Sequence, residues 1–270
     1  MDSHNGQTQD RVYWHEAFYE ALKLELHQYL DSLIFLEEHP LSKEALIVDI
    51  VVIKKVRDVK IDKNIGEIFR CHNLFEFKSE SDSLLVRDYN RVMGYAYLYA
   101  SFETVHVSDL TVSFAVTMHP RDLLAYLRNE RQVSVIDNGC GIYRIVGEAF
   151  PVQILESKLL PNTENLFLRN LRSTLSANDA EEITRAYRML KKFDIKNVYF
   201  DRLVKANRKA FEEATEMSVE AKEIILEIAE KQGWLKDMVK KIAQGLKKNN
   251  VPTHIIEEST GLTTQEIEAL

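Results

Sequence analysis

With 270 residues, 45% hydrophobic and 29% charged, the chain has the composition of an ordinary globular protein: one large domain, or a domain with an appendage. No apolar run reaches the ~18 residues that a membrane-spanning helix needs. Residues 1–10 lack the apolar stretch of a signal peptide, so the expected location is cytoplasmic. The two cysteines, Cys71 and Cys140, form no CxxC pair, which argues against a zinc site and a disulfide framework. The net charge of −7 speaks against a wholly basic nucleic-acid coat. Residues 169–209 nevertheless hold eleven Lys and Arg against five Asp and Glu, a local balance of +6. Such a segment either faces phosphates or coats a pair of solvated helix faces.

In chain order, residues 11–36 read as one amphipathic helix. At about 100° per residue, Trp14, Phe18, Ala21, Leu22 and Tyr29 share a side, and Glu16, Glu20, Lys23 and His27 lie opposite. Glu25 breaks the pattern by projecting from the apolar face. Leu46 to Ile53 is a Val- and Ile-rich run suited to a strand covered on both faces, interrupted by Asp49. A polar turn follows at Lys54, Lys55, Arg57, Asp58 and Lys60. A second strand spans Asn73 to Lys78. Alternation there puts Glu76 and Lys78 on one face and Phe75 and Phe77 on the other. Asp88 to Ala100 reads as a helix, Thr111 to Thr117 as a strand ended by His119-Pro120, and Arg121 to Asn129 as a helix with Pro120 at its entry. Asn138-Gly139 marks a turn before a strand at Gly141 to Val146, with one more at Pro151 to Leu155.

After Pro161 only helices are expected: Asn165 to Ser173, Asn178 to Phe193, Phe200 to Met217 and Ser218 to Lys248. The last carries a stripe of Ile224, Ile228, Leu235, Val239, Ile242 and Leu246 that could dock on the core or on another subunit. Two short helices close the chain, Pro252 to Ser259 and Thr264 to Leu270, with Gly261 in the turn and Thr263 and Glu266 as a capping box. The final helix offers Gln265 but also Glu266 and Glu268, so it reads as a packing element rather than a DNA-recognition helix.

The chemistry lies in the charges set into apolar elements. Magnesium takes hard oxygen ligands, often one or two carboxylates with water and phosphate. Asp49 and Glu76, on neighbouring strands, could supply them, and the Phe77 backbone carbonyl could add another. Lys78, on the face of Glu76, could orient or deprotonate a water or stabilise phosphorane charge. Glu25 would complete the set from the first helix, because a carboxylate on an apolar face is costly unless it is paired or binds a metal.

The order helix, strand with Asp, strand with Glu-x-Lys, helix, and the string Asn73-Leu74-Phe75-Glu76-Phe77-Lys78-Ser79, resemble the PD-(D/E)XK nuclease superfamily. Glu76 to Ser79 followed by Asp82-Ser83-Leu84, with Tyr95 and Tyr99, and the tail Ile255-Ile256 to Thr260-Gly261-Leu262 with Glu266-Ile267, are similar to bacterial recombination-promoting nucleases of the transposase-like type. The resemblance covers about the first 160 residues well and the tail loosely. It implies an α/β, restriction-endonuclease-like core with a mixed central sheet flanked by helices (residues 1–161), followed by an all-helical region (162–270). It also implies cleavage of DNA with Mg²⁺ or Mn²⁺. Asp49 and Glu76 match the metal acids, Lys78 the catalytic lysine, and Glu25 the helical acid less closely. Val48 replaces the proline that usually precedes the aspartate.

Each residue also has a plainer reading. Asp49 could cap a turn or pair with Lys54 or Lys55, and Glu76 with Lys78 could be an exposed ion pair worth little. His72 beside Cys71 lacks further ligands, and His106 and His119 flank a strand as polar edge residues. Tyr89, Tyr95, Tyr97 and Tyr99 spread around a helix as core and rim rather than as a base-stacking platform. No Gly-rich phosphate loop occurs, and Ser79, Ser81 and Ser83 lack a neighbouring histidine. Together the four charges favour a metal-dependent DNA endonuclease, with a homodimer as a natural way to cut two strands. The alternative is an inactive nuclease-fold protein acting as a DNA-binding or assembly module.

Overall fold

The computed structural model describes residues 14–37, 50–190, 198–217, 235–249 and 251–270. The elements in chain order are α1 (Trp14–Glu25), β1 (Leu33–Leu36), β2 (Ile50–Lys55), β3 (His72–Lys78), α2 (Val86–Glu103), β4 (Leu110–Val116), α3 (Arg121–Asn129), β5 (Ser134–Asp137), β6 (Ile142–Val146) and β7 (Val152–Glu156). Among the described residues seven helices follow: α4 (Asn162–Arg169), α5 (Ala177–Leu190), α6 (Val198–Ala206), α7 (Arg208–Met217), α8 (Leu235–Lys248), α9 (Thr253–Thr260) and α10 (Thr264–Glu268). The protein is α/β, with a seven-stranded mixed sheet in the order β1-β2-β3-β4-β7-β6-β5. β1, β2 and β3 run antiparallel, β3, β4 and β7 run parallel, and β7, β6 and β5 return antiparallel.

Both faces of the sheet are covered. Tyr89, Val92 and Tyr99 of α2 and Leu123, Leu124 and Leu127 of α3 bury Val52, Leu74, Val112, Phe114 and Ile154. Tyr89 stacks on Phe114 with ring centres 5.2 Å apart. On the opposite face Phe18 of α1 stacks on Phe77 at 4.6 Å and touches Phe75. The continuous apolar strands follow from this double coverage.

Several expectations are corrected. Residues 11–36 are not one helix among their described part. α1 ends at Glu25, a 3₁₀ turn covers His27–Ser32, and Leu33–Leu36 pairs as an edge strand with Val52–Lys55. A sheet edge supplies partners for that backbone that a free helix end lacks. β5 has no counterpart in the sequence reading, being exposed over most of its length, with only Val135 half-buried. The helix expected over Phe200 to Met217 breaks at Asn207 into α6 and α7. Of the stretch Ser218 to Lys248, residues 218–234 lie outside the described residues.

The division expected at residue 161 does not follow the compact units. Residues 14–37, 50–174 and 198–206 form one unit. α4 and α6 belong to it because the Tyr199 hydroxyl donates to the Phe167 carbonyl at 2.9 Å and both helices pack on α1. Residues 175–190, 207–217, 235–249 and 251–270 form the second unit. There Ala243, Ile256, Leu262 and Ile267 make a small core against which Val239 and Leu246 pack. Gly261 ends α9 at φ +69°, and the Thr263 hydroxyl accepts from the Glu266 amide while the Glu266 carboxylate accepts from the Thr263 amide. No helix among the described residues is long and apolar enough to cross a membrane.

Candidate functional site

Glu76 and Lys78 sit at the carboxyl end of β3, on the face that α2 covers. Glu76 is in register with Phe114, and Lys78 with Val116. Both side chains are nearly buried, at 4% and 10% exposure, and Lys78 Nζ lies 3.2 Å from Glu76 Oε1. Neither is the exposed surface pair of the plainer reading. Lys78 Nζ also lies 3.1 Å from Asp82 Oδ2 and 4.0 Å from Asp88 Oδ1. Arg91, one turn further along α2, sets Nη2 3.0 Å from Asp88 Oδ1 and 3.6 Å from Glu76 Oε1. Asp88 caps the helix as well, its carboxylate accepting from the Leu85 amide at 3.1 Å. Among the described residues the cluster holds three carboxylates against two cations. Burial by itself would lower the Lys78 ammonium, but Glu76 and Asp82 outweigh it and hold the group above its ordinary value.

The Thr117 amide donates to the Lys78 carbonyl across the β3–β4 seam, and the Lys55 amide donates to the Cys71 carbonyl across the β2–β3 seam. Backbone groups alternate sides along a strand, so the Phe77 carbonyl points towards β2. β2 opens at Ile50, the register partner of Glu76. Asp49, the residue before it, lies outside the described residues.

Glu25 does not join this cluster, which corrects the expectation. α1 packs on the Phe75 and Phe77 face, opposite Glu76 and Lys78. The Glu25 Oε1 atom accepts from the amides of Phe167 and Leu168 at 2.7 and 2.8 Å, and Oε2 lies 2.8 Å from Lys63 Nζ. Burial lifts its carboxyl above the ordinary range, against Lys63 and the two amides, which favour the anion. The acid on an apolar face thus ties α1 to the start of α4's last turn. Glu20, assigned to a polar face, is also buried, with Lys23 Nζ 3.4 Å from Oε1.

A second polar cluster, absent from the sequence reading, lies along the same strand ends. Glu156 ends β7 and is in register with Val116, as Lys78 is from the other side. His119 Nδ1 lies 2.7 Å from Glu156 Oε2, and the Tyr143 hydroxyl donates to the same oxygen at 3.1 Å. Burial first, then Glu156, pushes the Tyr143 hydroxyl up to about 12. Gly141, at φ +76°, lets β6 approach here: a Cβ would stand 2.6 Å from the Glu156 carbonyl oxygen. A signal existed in the sequence, because Glu156 directly follows the strand expected at Pro151 to Leu155.

Of the tyrosines on α2, Tyr89 and Tyr99 are buried and Tyr97 is exposed, which is core and rim. Tyr89 donates to Glu148 Oε1 at 2.8 Å, and Arg131 grips both oxygens of that carboxylate. Both cysteines are exposed free thiols. Among the described residues, no group of three or more His, Cys, Asp or Glu side chains is placed to hold a metal ion. Compared with known proteins, the chain matches no family model, no curated protein and no solved structure.

Proposed function

We propose that the protein is a metal-dependent DNA endonuclease of the PD-(D/E)XK type. The observation that carries this reading is the pairing of Glu76 and Lys78, nearly buried and on one face, at the end of β3 beside the start of β2. The element order, with an α1–sheet–α2 sandwich and Glu-x-Lys on a central strand, is that expected of a restriction-endonuclease-like core. Glu76 and the Phe77 carbonyl are oxygen donors of the kind a hard divalent cation takes, and they lie beside the start of β2. Asp49, Glu76 and the Phe77 carbonyl would hold Mg²⁺ or Mn²⁺, which would supply Lewis-acid polarisation of a phosphodiester. Lys78 and Arg91 would bind and orient the phosphate and offset charge developing on it. A homodimer would present two such sites to two strands.

The second reading, an inactive nuclease-fold module for DNA binding or assembly, is favoured by one observation: Lys78 and Arg91 are already engaged by the carboxylates around them. A plasmid-nicking assay separates the two. The nuclease reading expects cleavage with Mg²⁺ or Mn²⁺, none with a chelator, and a loss of at least ~10²-fold in Asp49→Ala and Lys78→Ala. Cleavage by neither wild type nor variants, with DNA still bound, would replace it by the module reading.

A further inference from the structure

We propose that His119 is the general acid of the candidate nuclease site, giving its Nε2 proton to the oxygen that leaves phosphorus. The inference rests on the nuclease reading and adds a residue to it. Lys78, Val116 and Glu156 stand in one register row across β3, β4 and β7, and their side chains share the face that carries Glu76. Those three strands are parallel, and ligands of open α/β sheets bind beyond the carboxyl ends of such strands. With strands about 4.8 Å apart, Lys78 and Glu156 are separated by roughly 10 Å of sheet edge. That span suits one phosphodiester, with attacking and leaving oxygens on opposite sides of phosphorus.

The imidazole is held for this task. Glu156, 10% exposed, takes Nδ1 at 2.7 Å, and Tyr143 braces the same carboxylate oxygen. The His119 side chain is itself 49% exposed, and its Nε2 makes no hydrogen bond with any described residue. A carboxylate on one ring nitrogen fixes the orientation of the other. The titratable groups facing the ring are Glu156 from β7 and Tyr143 from β6; Arg121, two residues on, is paired with Asp122. In the step, a water oxygen bonds to phosphorus and releases its proton to solvent. The P–O bond to the nucleoside oxygen breaks with its electron pair on that oxygen. The Nε2–H bond then breaks, and the proton passes to the same oxygen, leaving neutral imidazole.

The test compares leaving groups. A nucleoside alkoxide needs a proton to depart, whereas p-nitrophenolate leaves without one. His119→Gln is expected to slow plasmid cleavage by ~10²-fold or more. It should slow bis(p-nitrophenyl) phosphate hydrolysis by less than a tenth of that factor. An equal loss on both substrates, or no loss on plasmid, overturns the assignment. Lys78→Ala should slow both substrates alike. If wild type hydrolyses neither, the nuclease reading itself fails, and the role of His119 falls with it.

Discussion

Replacing Glu25 with alanine tests whether this acid is a structural tie or a metal ligand. Removal leaves the buried amides of Phe167 and Leu168 without their acceptor and Lys63 without its partner. An unsatisfied buried donor costs about 1–3 kcal/mol, and breaking a buried pair about 3–5 kcal/mol. Lys63 is 22% exposed and can turn to water, so the amides carry most of the loss. Two such amides give an expected destabilisation of about 2–6 kcal/mol. Trp14, buried on α1, reports on this region in urea unfolding followed by fluorescence in a Trp234→Phe background. Divalent-ion dependence of cleavage, measured where the variant remains folded, should not change. A destabilisation below about 1 kcal/mol would refute the tie. Unchanged stability with lost metal dependence would return Glu25 to the metal set.

Gly141→Ala should destabilise the protein by about 2–4 kcal/mol, from the left-handed backbone and the clash with the Glu156 carbonyl. Thermal unfolding measures it, and a change below about 0.5 kcal/mol would show that the β6–β7 approach relaxes freely. His72 should make stability fall in mild acid. Burial first, then Lys54, holds its imidazole below the ordinary value of 6.5. The Tyr99 hydroxyl lies 2.7 Å from Nδ1, which a doubly protonated ring cannot accept from. The native state therefore binds fewer protons than the unfolded chain. The stabilisation is complete above the ordinary value and is lost as pH falls through the lowered one. Urea unfolding across about pH 7 to 5 should show a shallower fall in His72→Gln, and equal slopes would refute this.

Local pattern reached far in the central strands. Alternation along Asn73 to Lys78 put Glu76 and Lys78 on one face and the phenylalanines on the other. Lys78 Nζ indeed lies against Glu76 Oε1, while Phe75 and Phe77 meet Phe18. Arg121–Asn129 and the Thr263–Glu266 cap were equally plain, because proline, threonine and glutamate act on their own backbone within a turn. Leu33–Leu36 was not, since four apolar residues suit helix and strand alike until an edge offers itself.

Periodicity and residue chemistry determined the α/β class, the strand that carries Glu-x-Lys and the oddity of an acid at Glu25. Tertiary structure alone decided what those charges touch. It paired Glu25 with amides some 140 residues away, on the far side of the sheet from Glu76. It also brought His119, Tyr143 and Glu156 together through the order β4-β7-β6. A strand fixes which face a side chain takes through its own covalent geometry, but its neighbours are set by pairing between distant segments, which no local pattern encodes.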